Sequence, residues 1–425
     1  MHAAKADGAA RSRRVRYRVV SRQRRRGQLA SSQGEDEGRD SVATKWAGFG
    51  PDGRELRRSA SRIGGVVGPA GRRLLQWLLN LVLPIEANVP IESLHGVRSV
   101  LLVRPNFRLG NALITSPLVA ALRARFPQAR IDYLGGEGTL TVLENLPIDE
   151  RYVMSRGFVL RPWRFVALFL RLRRRAYDVA VEGAMGSFSG GLYTYLSGAR
   201  YRIGVPRRNE RFLNVRLPPT PIAHTYDGSV AFARHLGVTC ADRPVYVVTA
   251  AEARAAASVL AALGLVDGTA IRPFVALFIG GHGAKRWPRA SWVELAGRLT
   301  RDGAPVVLFA GPDEANLVGE LQSELQGPAH VLAPQPLRTF AALLAVATIV
   351  VTPDSGPMHL AAAVGTPVVA VLATPRSRFF QPRGALDVAL VEPSVDGVTA
   401  AVEQHARWRL LLEHGATGAW RSGTR

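Results

Sequence analysis

The chain has 425 residues, 47% of them hydrophobic, enough for two or three domains with substantial cores, and its formal net charge is +22. Cys240 is its single cysteine, so no internal disulfide can form, which suits a reducing compartment. No stretch offers the ~20 continuous apolar residues of a membrane span, and no hydrophobic core follows the basic N-terminus closely enough for a secretory signal.

Residues 1–80 hold 18 Lys and Arg against 7 Asp and Glu, half of the whole charge excess. The arginine, glycine and serine there show little apolar periodicity, which predicts a disordered basic extension over residues 1–70. Residues 71–95 read as an amphipathic helix and linker. Leu74 to Leu83 follow Arg72 and Arg73 and include Trp77, a pattern that suits a membrane surface or a helix packed on the body of the protein.

Residues 96–245 begin a strand-helix alternation. "SVLLV", "IDYLG" (Ile131 to Gly135), "DVAVEG" (Asp178 to Gly183) and "YRIGV" (Tyr201 to Val205) read as buried parallel strands, with helices over Leu118 to Phe126 and Trp163 to Arg175. A strand and an alanine-rich helix are expected between Pro244 and Leu265. Residues 246–425 start a second alternation. It runs through "PFVALFIGG" (Pro273 to Gly281), a helix Ala290 to Thr300 and "PVVLFAG" (Pro305 to Gly311). A helix Glu314 to Leu325, "AHVLAP", a helix Leu337 to Ala347, "TIVVTPD", a short helix from Ser355 and "PVVAVLATP" complete it, with a C-terminal helix beyond. Two doubly wound Rossmann-like domains facing across a cleft account for this order, with ligands beyond the carboxyl ends of the strands.

Three loops carry the chemistry. In "VVTPDSGPMHLAAAVGTP", a strand ends at Asp354 and a helix opens through Ser355, Gly356 and Pro357. An Asp or Ser cap is expected there. The N–H groups of Ser355, Gly356 and Met358 would point into the cleft, where such a terminus binds phosphate, and His359 could donate to the same anion. An ordinary capped helix with a satisfied histidine has the same spacing. In "GGHGAKRWPRASW", Lys285 is followed by Arg286, so the loop is not a Walker A motif. Its cation could still neutralise a diphosphate, with Trp287 and Pro288 seating the loop on the next helix. In "RPNFRLGNALITSPL", Gly110 permits close backbone approach beside Asn111.

Taken in order, the segments "VLLVRPNFRLGNALITSPLVAALRARFPQARIDYLGG", "GGHGAKRWPRASWVELAGRL", "VVLFAGPDEANL" and "TPDSGPMHLAAAVGTPVVAVLATP" resemble glycosyltransferase family 9, the ADP-heptose:lipopolysaccharide heptosyltransferases. The resemblance covers roughly residues 97–407. It implies a GT-B fold, inversion at the anomeric carbon, no metal and no cofactor, with a nucleotide-diphosphate sugar, ADP-heptose, as donor substrate on the second domain. It matches Lys285 to a lysine that offsets leaving diphosphate charge, Asp354, Ser355, Gly356 and His359 to the donor contact segment, and Glu314 to an acidic residue near the ribose.

At the first loop the family commonly has Gly-Asp, the aspartate resembling a general base. Asn111 stands here, and an amide can orient the acceptor hydroxyl but cannot take its proton. Asp132, Glu137, His224 and Asp227 are alternative bases. Solvent-relayed proton loss and nucleotide-sugar binding without transfer are the other readings of that position, and a GT-B-like nucleotide-sugar epimerase is the rival enzyme.

The resemblance also implies a lipid-linked saccharide acceptor at the cytoplasmic face of an inner membrane, reached by a peripherally bound enzyme. "RPWRFVALFLRLRRRAYD" (Arg161 to Asp178) suits an anionic membrane surface, or else a helix with an apolar core face and a solvated basic face. No recognised nucleic-acid module accompanies the charge, which argues against nucleic acid as a partner.

Overall fold

The computed structural model describes residues 69–408 apart from 282 and 326. The expected basic extension therefore lies outside the described residues, except for its last two positions, which open a helix, Pro69–Val82. Any helix beyond residue 408 lies outside them as well.

Two six-stranded parallel sheets form the body. The first comprises β1 (Ser99–Arg104), β2 (Arg130–Gly136), β3 (Glu150–Met154), β4 (Val179–Glu182), β5 (Tyr201–Gly204) and β6 (Val215–Arg216), in the order β3-β2-β1-β4-β5-β6. A two-stranded antiparallel pair, β7 (Val266–Asp267) and β8 (Ala270–Ile271), follows. The second sheet comprises β9 (Val275–Phe278), β10 (Val306–Phe309), β11 (Ala329–Leu332), β12 (Ile349–Pro353), β13 (Val368–Leu372) and β14 (Val388–Val391). Its order, β11-β10-β9-β12-β13-β14, repeats that of the first. Both are the doubly wound order whose direction reverses beside its first strand, at β1/β4 and at β9/β12. The central strands are runs of Val, Leu, Ile and Ala buried on both faces, as a parallel sheet covered by helices requires. The expected GT-B architecture is present.

The helix after β1 differs from its sequence reading. It spans Leu109–Arg125 and so begins nine residues before Leu118, with Pro117 inside it. A proline there cannot donate to Leu113 O. Ser116 Oγ donates to that carbonyl instead, at 2.6 Å, which lets the helix run through. Gly110 and Asn111 therefore lie in a helical first turn and not in a loop.

The segment before the alanine-rich helix also differs. Residues 244–248 form no strand, because their N–H groups bond outside any ladder: Val245 N donates to Ser116 Oγ (2.7 Å) and Tyr246 N to Ala363 O (3.2 Å). The connection is thereby bonded to a helix of each domain. Thr249 and Glu252 then form a reciprocal capping box that starts the helix Ala250–Ala262. The helix expected over Glu314 to Leu325 is a 3-10 turn, Ala315–Leu317, continued by α-helix Val318–Glu324.

The two domains share one apolar core. Leu113, Leu118 and Leu122 of the first belong to the same buried cluster as Leu344, Met358 and Leu360 of the second. The helix Leu109–Arg125 meets the helix Gly356–Val364 at their N-terminal ends. A Cβ at Gly356 would stand 3.1 Å from Leu109 Cδ2. Since each helix follows the carboxyl end of a strand, those ends of both sheets face each other.

Candidate active site

The second domain's reversal point lies between the ends of β9 and β12. The loop after β9 turns through Gly283, at φ +57°, into a 3-10 turn Gly283–Lys285. The strand β12 ends immediately before Asp354. Lys285 Nζ and Asp354 Oδ2 form an ion pair at 2.5 Å across this point. Asp354 is buried and Lys285 is half exposed. Trp287 stacks edge-on against Trp292 with ring centres 4.9 Å apart and donates from Nε1 to Pro393 O at 3.3 Å, which seats the loop on the helix Arg289–Arg301.

The helix Gly356–Val364 opens without the expected side-chain cap. Ser355 occupies the cap position in extended conformation and makes no cap bond; its Oγ lies 3.2 Å from Thr352 Oγ1. Asp354, the other expected cap, is held by Lys285. No side chain at the cap position therefore takes the first-turn N–H groups, and with Pro357 in that turn the donors left to an anion include those of Gly356 and Met358. The Met358 side chain points into the core, so only its backbone faces the first turn. Gly365 closes the helix at φ +83°.

His359 is buried, and Tyr226 OH of the first domain lies 2.9 Å from its Nδ1. Burial pushes its pKa down to about 4 despite the nearby Asp354, with His224 and Lys285 pushing the same way. Burial raises the Tyr226 phenol, which thus keeps its proton and can donate it to Nδ1. With Nδ1 accepting from Tyr226, the neutral imidazole's own hydrogen is left to Nε2 and the ring adds no charge near pH 7. Glu314 is buried after β10 and pairs with Arg286 at 3.1 Å. A Cβ at Gly280 or Gly311 would stand 2.8 or 2.6 Å from its Oε2, so both strand ends need glycine to admit the carboxylate.

On the first domain, Asn111 is half-buried in the opening turn of its helix. Of the four alternative bases, Asp132 does not reach the cleft. It is wholly buried within β2, taking Tyr177 OH at 2.6 Å and Arg130 Nε at 3.0 Å. His224 accepts Tyr226 N–H at Nδ1 (3.1 Å) and donates from Nε2 to Gln381 O (2.7 Å). Asp227 takes His224 N–H at Oδ2 (2.8 Å) and Arg383 at Oδ1 (2.7 Å). Both are occupied in joining the domains. Glu137, alone of these four, is exposed at the carboxyl end of β2, where it accepts from Ser155 Oγ at 3.0 Å.

Sequence reasoning missed Glu182, the last residue of β4 at the first domain's reversal point. Burial pushes its pKa up to about 7, while N–H groups of Gly186 (2.7 Å) and Ala184 (2.8 Å) and the nearby Arg104 pull it down. A carboxylate ending a buried strand within the quoted "DVAVEG" was the available signal. Tyr226 was missed because nothing in its local pattern announces a partner 133 residues away.

The family model for glycosyltransferase family 9 (heptosyltransferase) matches residues 165–399. The chain is 28% identical over 301 residues to lipopolysaccharide heptosyltransferase 2 of Escherichia coli strain K12, covering 67% of this chain and 84% of that one. It is 26% identical over 297 residues to an E. coli lipopolysaccharide heptosyltransferase 3, covering 64% and 83%. Among solved structures, the glycosyl transferase family 9 protein of Veillonella parvula superposes with TM-score 0.64 at 22% identity, over 74% of this chain and 97% of that one. The E. coli ADP-heptose lps heptosyltransferase II superposes with TM-score 0.58 at 24% identity, over 75% and 100%.

Proposed function

The chain belongs to glycosyltransferase family 9, and on that premise we propose that it transfers heptose from ADP-heptose to a saccharide of the lipopolysaccharide core type, with inversion and without a metal ion. The observation that carries this is the Lys285–Asp354 pair set against the uncapped start of the helix Gly356–Val364. A nucleoside diphosphate laid on that helix end meets backbone N–H groups, the positive end of the helix dipole and an ammonium group. In a metal-dependent enzyme, a divalent cation would supply this positive charge.

In the transfer, the acceptor oxygen bonds to the anomeric carbon as the carbon–phosphate oxygen bond breaks. The nucleoside diphosphate leaves with the electron pair, and its developing charge is stabilised by Lys285 and the helix terminus. Asn111, in the first turn of the opposing helix, accepts a hydrogen bond from the acceptor hydroxyl and orients it. Asp132 is buried and His224 and Asp227 are occupied between the domains, so the proton leaves late, to water, or passes to Glu137, the one exposed carboxylate of the four. Glu314, held between Gly280 and Gly311, faces the ribose.

No helix among the described residues is long and apolar enough to cross a membrane. The enzyme works at the cytoplasmic face of the inner membrane through surface attachment, where a lipid-linked acceptor would be found.

The test is incubation with ADP-heptose and truncated lipopolysaccharides, followed by mass measurement of the products. A heptose added to the acceptor, unaffected by a chelator, is expected. A new sugar nucleotide formed without acceptor would replace transfer by epimerisation, and donor binding with no product would replace it by binding alone.

A further inference from the structure

The helix Pro162–Arg174 is apolar on two faces. Phe165, Leu168, Phe169 and Leu172 turn inward onto the sheet, where Phe165 and Phe169 stack with Tyr193. Trp163, Val166 and Leu170 lie at i, i+3 and i+7 on the opposite side, and Trp163 is 63% exposed and Leu170 49%. Leu160, just before the helix, is exposed as well. A solvated basic outer face was one reading of this sequence. The outer face is instead an apolar stripe edged with arginine, longer than scattered surface residues explain.

The arginines divide into two sets. Arg171 and Arg175 pair with Glu150, and Arg173 donates to Leu196 O. Arg161, Arg164 and Arg174 are exposed and form no ion pair with the described residues. The stripe therefore carries positive charge that no carboxylate of the described chain answers. The helix starts at the carboxyl side of β3, the side of the sheet that faces the cleft. Arg156, six residues before it, stacks 4.8 Å over Phe107 in the loop that leads into Asn111's helix. The apolar stripe thus borders the acceptor side of the site.

We propose that this face of the first domain seats on an anionic lipid bilayer, with Leu160, Trp163, Val166 and Leu170 entering the headgroup boundary and Arg161, Arg164 and Arg174 meeting lipid phosphates. A bilayer satisfies both halves of the pattern at once: indole and aliphatic side chains sit at the interface, and guanidinium groups meet fixed negative charge. The helix Pro69–Val82 offers the same chemistry. Its exposed Leu74, Trp77, Leu78, Leu81 and Val82 follow i, i+3, i+4, i+7 and i+8, the full stripe of an interfacial helix. The second domain exposes few large apolar side chains, Phe379 and Leu386 among them. The docking face thus belongs to the acceptor domain, which leaves the donor site open to the aqueous side. The proposal rests on the reading of a lipid-linked acceptor.

The test is co-sedimentation of the full chain with vesicles of phosphatidylcholine alone or with one third phosphatidylglycerol. No saccharide is present, so the result is independent of whether transfer occurs. Binding is expected only with the anionic vesicles. It should weaken about fivefold for each of Arg161→Gln, Arg164→Gln and Arg174→Gln, weaken about tenfold for the double variant Trp163→Gln/Leu170→Gln, and fall with added salt. ADP binding and thermal midpoint, measured on the same variants, should match the unaltered protein and so exclude misfolding. Vesicle binding unchanged by these variants, or lost only with Trp77→Gln, would overturn the assignment. Concentration-dependent dimerisation abolished by Trp163→Gln, or RNA binding that needs the same arginines without vesicle binding, would also overturn it. If vesicle binding behaves as expected and no acceptor is glycosylated, the docking face stands and the transferase reading fails.

Discussion

Gly110 of the first domain and His359 of the second approach so closely that a Cβ on residue 110 would stand 2.6 Å from the imidazole Cδ2. The absence of a side chain at 110 lets the helix that carries Asn111 close onto the helix that would hold the diphosphate. The glycine serves domain contact.

Gly110→Ala is therefore expected to force the imidazole or the helix aside. Overpacking of this kind costs about 1–3 kcal/mol, and turnover should fall about tenfold or more as the two helix ends separate. Urea unfolding and steady-state kinetics read both. A variant with unchanged stability and rate would show that the contact yields freely.

Lys285→Ala should lower kcat by about 10²–10³-fold, the usual cost of removing one preorganised stabiliser of developing charge. It also leaves the buried Asp354 without its cation, so the thermal midpoint should drop. Adding Asp354→Asn should recover the midpoint without recovering kcat. Turnover regained in the double variant would remove Lys285 from the chemistry.

Asn111→Asp should raise turnover. A general base contributes typically ~10²–10⁴-fold, and the carboxylate would sit at a helix N-terminus that favours its charge. An acid limb should appear in the pH–rate profile as the new group protonates. A rate that stays the same or falls would mean that the proton already departs through another group, with Glu137 the first to substitute.

The depressed pKa of His359, about 4 against 6.5, gives a pH signature. The unfolded state binds the proton first, so stability falls as the pH drops from 6.5 towards 4 and is retained above 6.5. The loss amounts to about 3 kcal/mol across that window at roughly 1.4 kcal/mol per pH unit. His359→Gln should remove this contribution, measured as the urea midpoint at several pH values. The raised pKa of Glu182, about 7, has the opposite sign. Its contribution is fully present below about pH 4.5 and is lost as the pH rises through 7. The two contributions largely cancel between about pH 4.5 and 6.5, so Glu182→Gln should expose the acid loss and His359→Gln should make stability rise as the pH falls.

Much of the architecture was legible because it is local. Buried parallel strands read as unbroken apolar runs, and glycine and proline punctuate the helix at Gly356–Val364. The strand β3, "ERYVM", was missed because alternate side chains reach solvent at the sheet edge and break the run. The first turn of the helix from Leu109 was read as a loop, and Ser116's bond to Leu113 O, which carries the helix past Pro117, has no signal in the local spacing.

By itself, then, the sequence determined the two doubly wound domains, the family and the loops that bear Lys285 and Asp354, all through patterns confined to a few turns of chain. The tertiary structure alone decided what those residues meet. It pairs Lys285 with Asp354 and so leaves the helix end uncapped, neutralises His359 by burial against Tyr226, and turns the Trp163 stripe outward. Each depends on groups brought together from distant positions, where burial and charge act through space and local sequence spacing carries no trace of them.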